Sequence, residues 1–191
     1  RRPRRGPTAA AEGVTFSSPW LGEVPLMMAM AVRSFAAEGY SPAELAVLVS
    51  RVGPSFTERL LLPGVYGHLI VGVRRGGRLC GYADVSLQPP TGTTEVLRSV
   101  ALREREALHG GGLQPYVSNF MVDVGSRGAG VGTALLCECE RVARGTLGGD
   151  ELFLHADAAC AEAVGLYNKR GFVVRSRLNG GIVFMSKKLA A

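Results

Sequence analysis

Residues 122–136 read VDVGSRGAGVGTALL: an apolar strand end, four glycines around one arginine, then a helix-forming run. The first turn of a helix leaves backbone N–H groups unpaired and carries partial positive charge. Glycine lets an anion approach those groups closely, so the pattern reads as a phosphate site. Two familiar phosphate loops are excluded. Gly125 and Gly130 have the spacing of a nucleotide P-loop, but Val131 and Gly132 follow where lysine and a hydroxyl residue are required. A dinucleotide fingerprint would begin at Gly128 and Gly130. Thr133 stands at its third glycine, and the next apolar run, ELFLHA, ends without an acid.

At 191 residues, 47% hydrophobic and 20% charged, the chain has the composition of one soluble globular domain with a real core. No apolar run approaches the ~18 residues of a membrane span. A net charge of +6 favours acidic partners. The arginines are scattered, however, and no aromatic–basic alternation suits base stacking, which argues against nucleic acid. Cys80, Cys137, Cys139 and Cys160 form no Cys-x-x-Cys pair, and with His68, His109 and His155 they offer no zinc spacing. Reduced, mostly buried thiols, no metal and a reducing compartment are the expectation. The opening stretch RRPRRGPTAAAEG has four arginines and no acid before Glu12. Residues 1–13 read as a disordered basic tail, and Arg-rich, acid-poor leaders are also those of organelle transit peptides. The plastid stroma is one expected location, the cytoplasm the other.

The rest of the chain punctuates itself. Val14–Phe16 reads as a short strand and Glu23–Phe35 as a helix. Ser41, Pro42 and Glu44 make a capping box for a helix to about Val52. HLIVGV and LCGYADVSL flank RRGGR as a hairpin. Residues 88–115 read as an insertion, opened by Pro89-Pro90, closed by Gly110–Gly112 and helical over Val96–Leu108. YVSNFMV is a strand, followed by the glycine loop and a helix to about Arg144. ELFLHA is the next strand, and Asp157 can cap a helix ending at Arg170-Gly171. FVVRS and IVFMS form a last hairpin across NGG. Crossover helices imply parallel pairing and hairpins imply antiparallel edges, so the sheet is mixed.

Arg127, Gly128, Ala129, Gly130, Val131 and Gly132 spell Arg-Gly-x-Gly-x-Gly between a strand and a helix. Downstream, AVGLYNKRGF sets Ala163, Leu166, Tyr167, Gly171 and Phe172 in the pattern Ala-x-x-Leu-Tyr-x-x-x-Gly-Phe. These elements, their separation and the strand order resemble the GNAT superfamily of N-acetyltransferases over about residues 14–189. The pattern is most similar to protein N-terminal acetyltransferases of the bacterial ribosomal-protein and plastid type. The resemblance implies an α/β GNAT fold, with a mixed, mostly antiparallel sheet of six to seven strands flanked by about four helices. It implies one domain over 14–191 and acetyl-CoA as cofactor. The N–H groups of Gly128, Gly130, Gly132 and Thr133 would face the pyrophosphate, with Arg127 at the rim. The preceding strand would splay from ELFLHA, so that the backbone of Phe120, Met121 and Val122 pairs with the pantetheine amides.

In this superfamily an amine attacks the thioester directly, so a base, an oxyanion stabiliser and a thiolate acid are needed. Tyr167 matches the thiolate acid. His155 stands where the ribosomal-protein enzymes carry a glutamate base, and histidine can do that work at neutral pH. Cys160 departs from the pattern, occupying the place of an asparagine that holds cofactor or orients substrate. A thiol cannot supply an amide's paired donor and acceptor. Three functions follow: acetylation of a protein N-terminus or lysine, acetylation of a small amine, or a GNAT-fold subunit retained for binding in a larger assembly. The scarcity of acids near the motifs favours a protein or peptide amine over a polycationic one. The insertion is expected on the acceptor side of the cleft, shaping substrate entry or a partner surface.

Overall fold

The computed structural model describes residues 13–90 and 112–190, together with Leu102, Glu106 and Ala107. The basic tail before residue 13 and most of the insertion, with its expected helix over Val96–Leu108, lie outside the described residues. Seven strands form one sheet in the order β1-β2-β3-β4-β5-β7-β6. They are β1 (Val14–Ser17), β2 (His68–Arg75), β3 (Arg78–Gln88), β4 (Gln114–Val122), β5 (Glu151–Asp157), β6 (Val173–Arg177) and β7 (Ile182–Lys188). Every pairing is antiparallel except β4 with β5. This is the mixed, mostly antiparallel α/β sheet that the resemblance implies.

Helices cover both faces: α1 (Val24–Ala37), α2 (Pro42–Leu61), the single turn α3 (Pro63–Tyr66), α4 (Val131–Gly145) and α5 (Ala161–Lys169). On α4, Val131, Leu135, Cys139 and Val142 fall at helical spacing and are all buried. They pack with Val73, Ala83, Val117, Leu152 and Leu154 of the sheet. On the opposite face Met27, Met28 and Met30 of α1 and Phe56 of α2 close over Ile70, Leu79 and Tyr82. Tyr82 lies edge-on to Phe56 and donates its hydroxyl to Met27 O at 3.1 Å, so its polar end is satisfied where it is buried.

The capping box of α2 forms as expected, with Ser41 N donating to Glu44 Oε2 at 2.8 Å and Glu44 N to Ser41 Oγ at 3.4 Å. The helix does not stop near Val52, however. It runs through Gly53-Pro54 to Leu61, because burial of Phe56 outweighs the lost donor and the ring crowding of one proline. Asp157 does not cap α5 either. Its Oδ1 accepts from Ala159 N at 2.8 Å in the preceding turn, and Cys160 holds the cap position without a side-chain bond.

The register of β3 on β4 steps between Tyr82↔Met121 and Asp84↔Ser118, so Asn119 and Phe120 together oppose Ala83. This is a bulge, with Asn119 at φ +49°. The bulge resets the alternation of side chains. Val117 faces α4, and beyond the bulge Phe120 and Val122 face it again while Met121 turns to the α1 side. Asparagine tolerates the left-handed region and a β-branched residue does not, at roughly 1–2 kcal/mol. Asn119→Val is therefore expected to lower unfolding stability by about that much in urea titration, and Asn119→Gly to leave it nearly unchanged. Equal stability of the Val and Gly variants would show that the bulge does not need this backbone.

Candidate functional site

Strand β4 pairs with β5 only at Tyr116↔Phe153 and Val117↔Leu154. Beyond those two pairs the ladder ends, and the outer half of β4 parts from the outer half of β5. The parting leaves a slot flanked by strand backbone, with the glycine loop at its outer end. Three aromatic rings line it on the α4 side, where Tyr167 lies edge-on to Phe120 and tilted against Phe172, at centroid distances of 5.9 and 5.8 Å.

At the outer end of the slot Asp123 N donates to Cys80 O, and one turn of 3-10 helix, Val124–Ser126, swings the chain round to α4. Gly128 and Gly130 have φ of +76° and +78°, values open to glycine at little cost. A Cβ added at Gly128 would meet nothing within 4 Å, so the loop is open above it. Gly130 is the cap residue of α4 and makes no side-chain cap bond, which leaves the first-turn N–H groups, Gly132 and Thr133 among them, for a ligand. Gly132 has a second reason to lack a side chain, since a Cβ there would sit 3.4 Å from Leu166 and 3.6 Å from Val122. Arg127, expected at the rim, turns its guanidinium back instead. It donates to Ser34 Oγ on α1 and to Val122 O.

Tyr167 is 5% exposed. Burial raises its phenol pKa well above the ordinary value near 10, helped by the neighbouring Cys139, Cys160 and Tyr116. It therefore keeps its proton at any working pH. Cys160, at the start of α5, is half-buried beside it. His155 lies on the other face of the sheet. Leu154 and Ala156 point to the α4 core, while His155 alternates outward with Phe153. Its Nδ1 is hydrogen-bonded to the Tyr116 hydroxyl, and its ring lies 4.9 Å from that of Phe184. Burial also raises the Tyr116 phenol, partly offset by a hydrogen bond from the His155 backbone.

One row across this second face was not legible from the sequence. Asp84 of β3 opposes Ser118 of β4, the first β4 residue past its pairs with β5, and His155 is the first β5 residue past the same pairs. Asp84 is fully buried and accepts from His68 Nδ1 at 2.9 Å and from the Arg59 guanidinium of α2. The signal in the sequence was one acid inside LCGYADVSL, a strand otherwise free of charge. Leu102 of the insertion lies near this cluster, 3.0 Å from where a Cβ of Gly67 would be. Glu151, also on this face, is bound to Arg175, Ser186 and Lys188. The structure thus brings Tyr167, Phe120 and Cys160 together at one wall of the slot, and His155 with Tyr116 at the other.

A parallel pair that opens halfway, a glycine loop feeding a helix, and a buried tyrosine behind the opening define an acyltransferase architecture. The family model for the acetyltransferase (GNAT) family matches residues 51–172, and the chain belongs to that family. No curated protein matches it. Among solved structures, the PaiA N-acetyltransferase of Thermoplasma acidophilum in complex with coenzyme A superposes with a TM-score of 0.70 at 14% identity, over 92% of this chain and 98% of that one. A ribosomal-protein-alanine N-acetyltransferase of Brucella melitensis gives 0.61 at 20% identity, over 92% and 99%. The acetyltransferase YncA of Salmonella typhimurium with acetyl-CoA gives 0.59 at 16%, over 93% and 95%. No helix among the described residues is long and apolar enough to cross a membrane.

An acid in the loop would set a negative charge against the phosphates and repel them. Gly130→Asp is expected to abolish the heat of coenzyme A binding in titration calorimetry while leaving the thermal unfolding cooperative. Undiminished binding by that variant would place the pyrophosphate elsewhere.

Proposed function

We propose that this chain is an acetyl-CoA-dependent N-acetyltransferase acting on the amine of a protein or peptide. The observation that carries the reading is the slot between β4 and β5, with a protonated tyrosine at one wall and a histidine–tyrosine pair at the other. The residues present suit the cofactor. The loop above Gly128 is open, the first turn of α4 offers N–H groups, and the backbone of Phe120, Met121 and Val122 has no β5 ladder to occupy it. Gly128, Gly130, Gly132 and Thr133 would hold the pyrophosphate. Arg127 would reach it after leaving Ser34. Cys160 would border the acetyl end.

Acetyl-CoA, when bound, supplies a thioester carbonyl to be attacked by an amine. The protein's own part is proton traffic. His155, hydrogen-bonded through Nδ1 to the Tyr116 hydroxyl, would be the group that takes a proton from the acceptor ammonium. Tyr167, kept neutral by burial, holds a proton for the departing sulfur on the far side of the sheet. Base and acid are thus separated by the sheet and do not neutralise each other.

Support for a protein or peptide amine over a polycation comes from the acids. On the face that carries His155, Asp84 and Glu151 are each bound to an arginine, which leaves neither to hold a second ammonium. Structural likeness to the ribosomal-protein-alanine enzyme points the same way, whereas the likeness to the PaiA enzyme does not discriminate. Acetyl transfer to N-terminal peptides, lysine peptides and free polyamines, measured side by side, tests the reading. Preference for polyamines would overturn it.

Tyr167→Phe should lower kcat about 100-fold with little change in coenzyme A affinity, since it removes a proton donor used only in the transition state. His155→Gln should lose most turnover at neutral pH and partly recover at high pH, where the amine is already free. In the parent, kcat/KM should rise with pH as the base and amine lose protons. It should show no fall near pH 10, because the Tyr167 phenol titrates above its ordinary range. A falling limb near 10 would mean that a different, exposed acid is at work.

A further inference from the structure

The hairpin RRGGR sets Arg75 of β2 directly opposite Arg78 of β3. Opposed residues of an antiparallel pair share a face, with Cβ atoms about 5 Å apart, and like charges there destabilise the ladder. Both arginines are exposed. The side chain of Arg75 has no hydrogen bond or ion pair among the described residues. That of Arg78 is 70% exposed and lies 3.7 Å from Asp123 Oδ2, a contact too long and too open to contribute much to stability. The hairpin thus carries a repulsion for which its own fold has no use.

Asp123 fixes where these charges lie. Its backbone oxygen accepts from Ser126 N at 2.8 Å and closes the turn that leads into the glycine loop, so its side chain stands at the root of that loop. Besides Arg78 it holds Arg33 of α1, at 2.8 Å, and the Arg33 side chain is itself half exposed. Arg127, inside the loop, lies against Ser34 on the same helix. Four arginines therefore gather about the outer end of the slot. The acids beside them are Asp123 and Glu38, whose backbone N donates to Ser34 O at 3.2 Å. Positive charge stays in excess, and the unpaired N–H groups at the start of α4 add to it.

A cofactor with a pyrophosphate and a 3′-phosphate carries several negative charges. At physiological ionic strength a charge is felt over about 8 Å, so a basic rim can draw such a ligand in before touching it. We infer that Arg75 and Arg78, with Arg33, form an electropositive rim that captures the phosphates of coenzyme A and steers them to the glycine loop. The rim acts on the rate of association and leaves the holding of the bound cofactor to the loop. The inference rests on the acetyltransferase reading above and adds how the cofactor arrives.

The double variant Arg75→Gln, Arg78→Gln is compared with the parent by stopped-flow mixing. The probes are coenzyme A carrying a fluorophore on its sulfur and the same molecule without the 3′-phosphate. Because the substitution removes a like-charge pair, unfolding should stay cooperative with a Tm no lower than the parent's. At low salt kon is expected to fall about three- to tenfold, with koff changed less than about twofold. The fall should be smaller for the probe without the 3′-phosphate, and parent and variant should converge at about 0.5 M salt. A control, Arg141→Gln with Arg177→Gln, removes the same charge elsewhere. Arg141 lies roughly 15 Å along α4 from Val131, and Arg177 is on the edge strand β6. This control should keep the parent's kon. An unchanged kon in the hairpin variant, an equal fall in the control, a fall that persists at high salt, or a loss confined to koff would each overturn the inference. Association is measured without an acceptor amine. Absence of turnover would therefore count against the acetyltransferase reading alone, and an unchanged kon against the rim alone.

Discussion

Two strands that begin as a parallel pair and then separate are expensive, because each unpaired backbone group in a sheet interior loses a hydrogen bond that water or a ligand must replace. Here the parting of β4 from β5 coincides with a bulge in β4 and with the aromatic packing of α5. On β4, the bulge at Asn119 rotates the outer half of the strand and delivers Phe120 to the α4 face. Behind the opening, Tyr167 of α5 lies edge-on to Phe120, and Leu166 packs against the first turn of α4 at Gly132. The glycine loop and the first turn of α4 follow at the slot's outer end, and β5 delivers His155 to the opposite wall.

The sheet also separates charge from neutrality. On the α4 side the slot is walled by aromatic rings and thiols, and Tyr167 is held protonated by burial. On the other side the row Asp84, Ser118, His155 is polar, and its one carboxylate is tied to Arg59 and His68. Leaving that carboxylate unpaired would cost several kcal/mol, so cluster and slot depend on the same register. An amine can therefore approach from a polar face while the leaving sulfur is met from an apolar one.

Much of this was legible in the sequence, and for identifiable reasons. The glycine loop and the run AVGLYNKRGF announce themselves because their residues act within one turn of one another. Apolar spacing gave the buried face of α4, with the Glu138–Arg141 pair beside it at 2.8 Å. Glu140 does not pair with Arg144 one turn further along. Glu140 binds Arg170 and Lys187 from other elements, and Arg144 donates to Leu189 O. Long-range partners were illegible in general. Arg127 meets Ser34 across 93 residues of sequence, and Tyr116 meets His155 across 39. Neither the left-handed backbone of Asn119 nor the passage of α2 through Pro54 can be read from local propensity, since both are set by tertiary packing.

The central claim is that the parted strands are the cofactor slot, and amide hydrogen exchange tests it most directly. In the free protein the amides of the outer half of β4, residues 118–122, and those of the loop and first helical turn, residues 128–133, are compared with the same amides in the presence of acetyl-CoA. Slowing of exchange in both segments, with little change in the β2–β3 hairpin, is the predicted result. Protection of the loop without any change in β4, or of neither segment, would contradict the account.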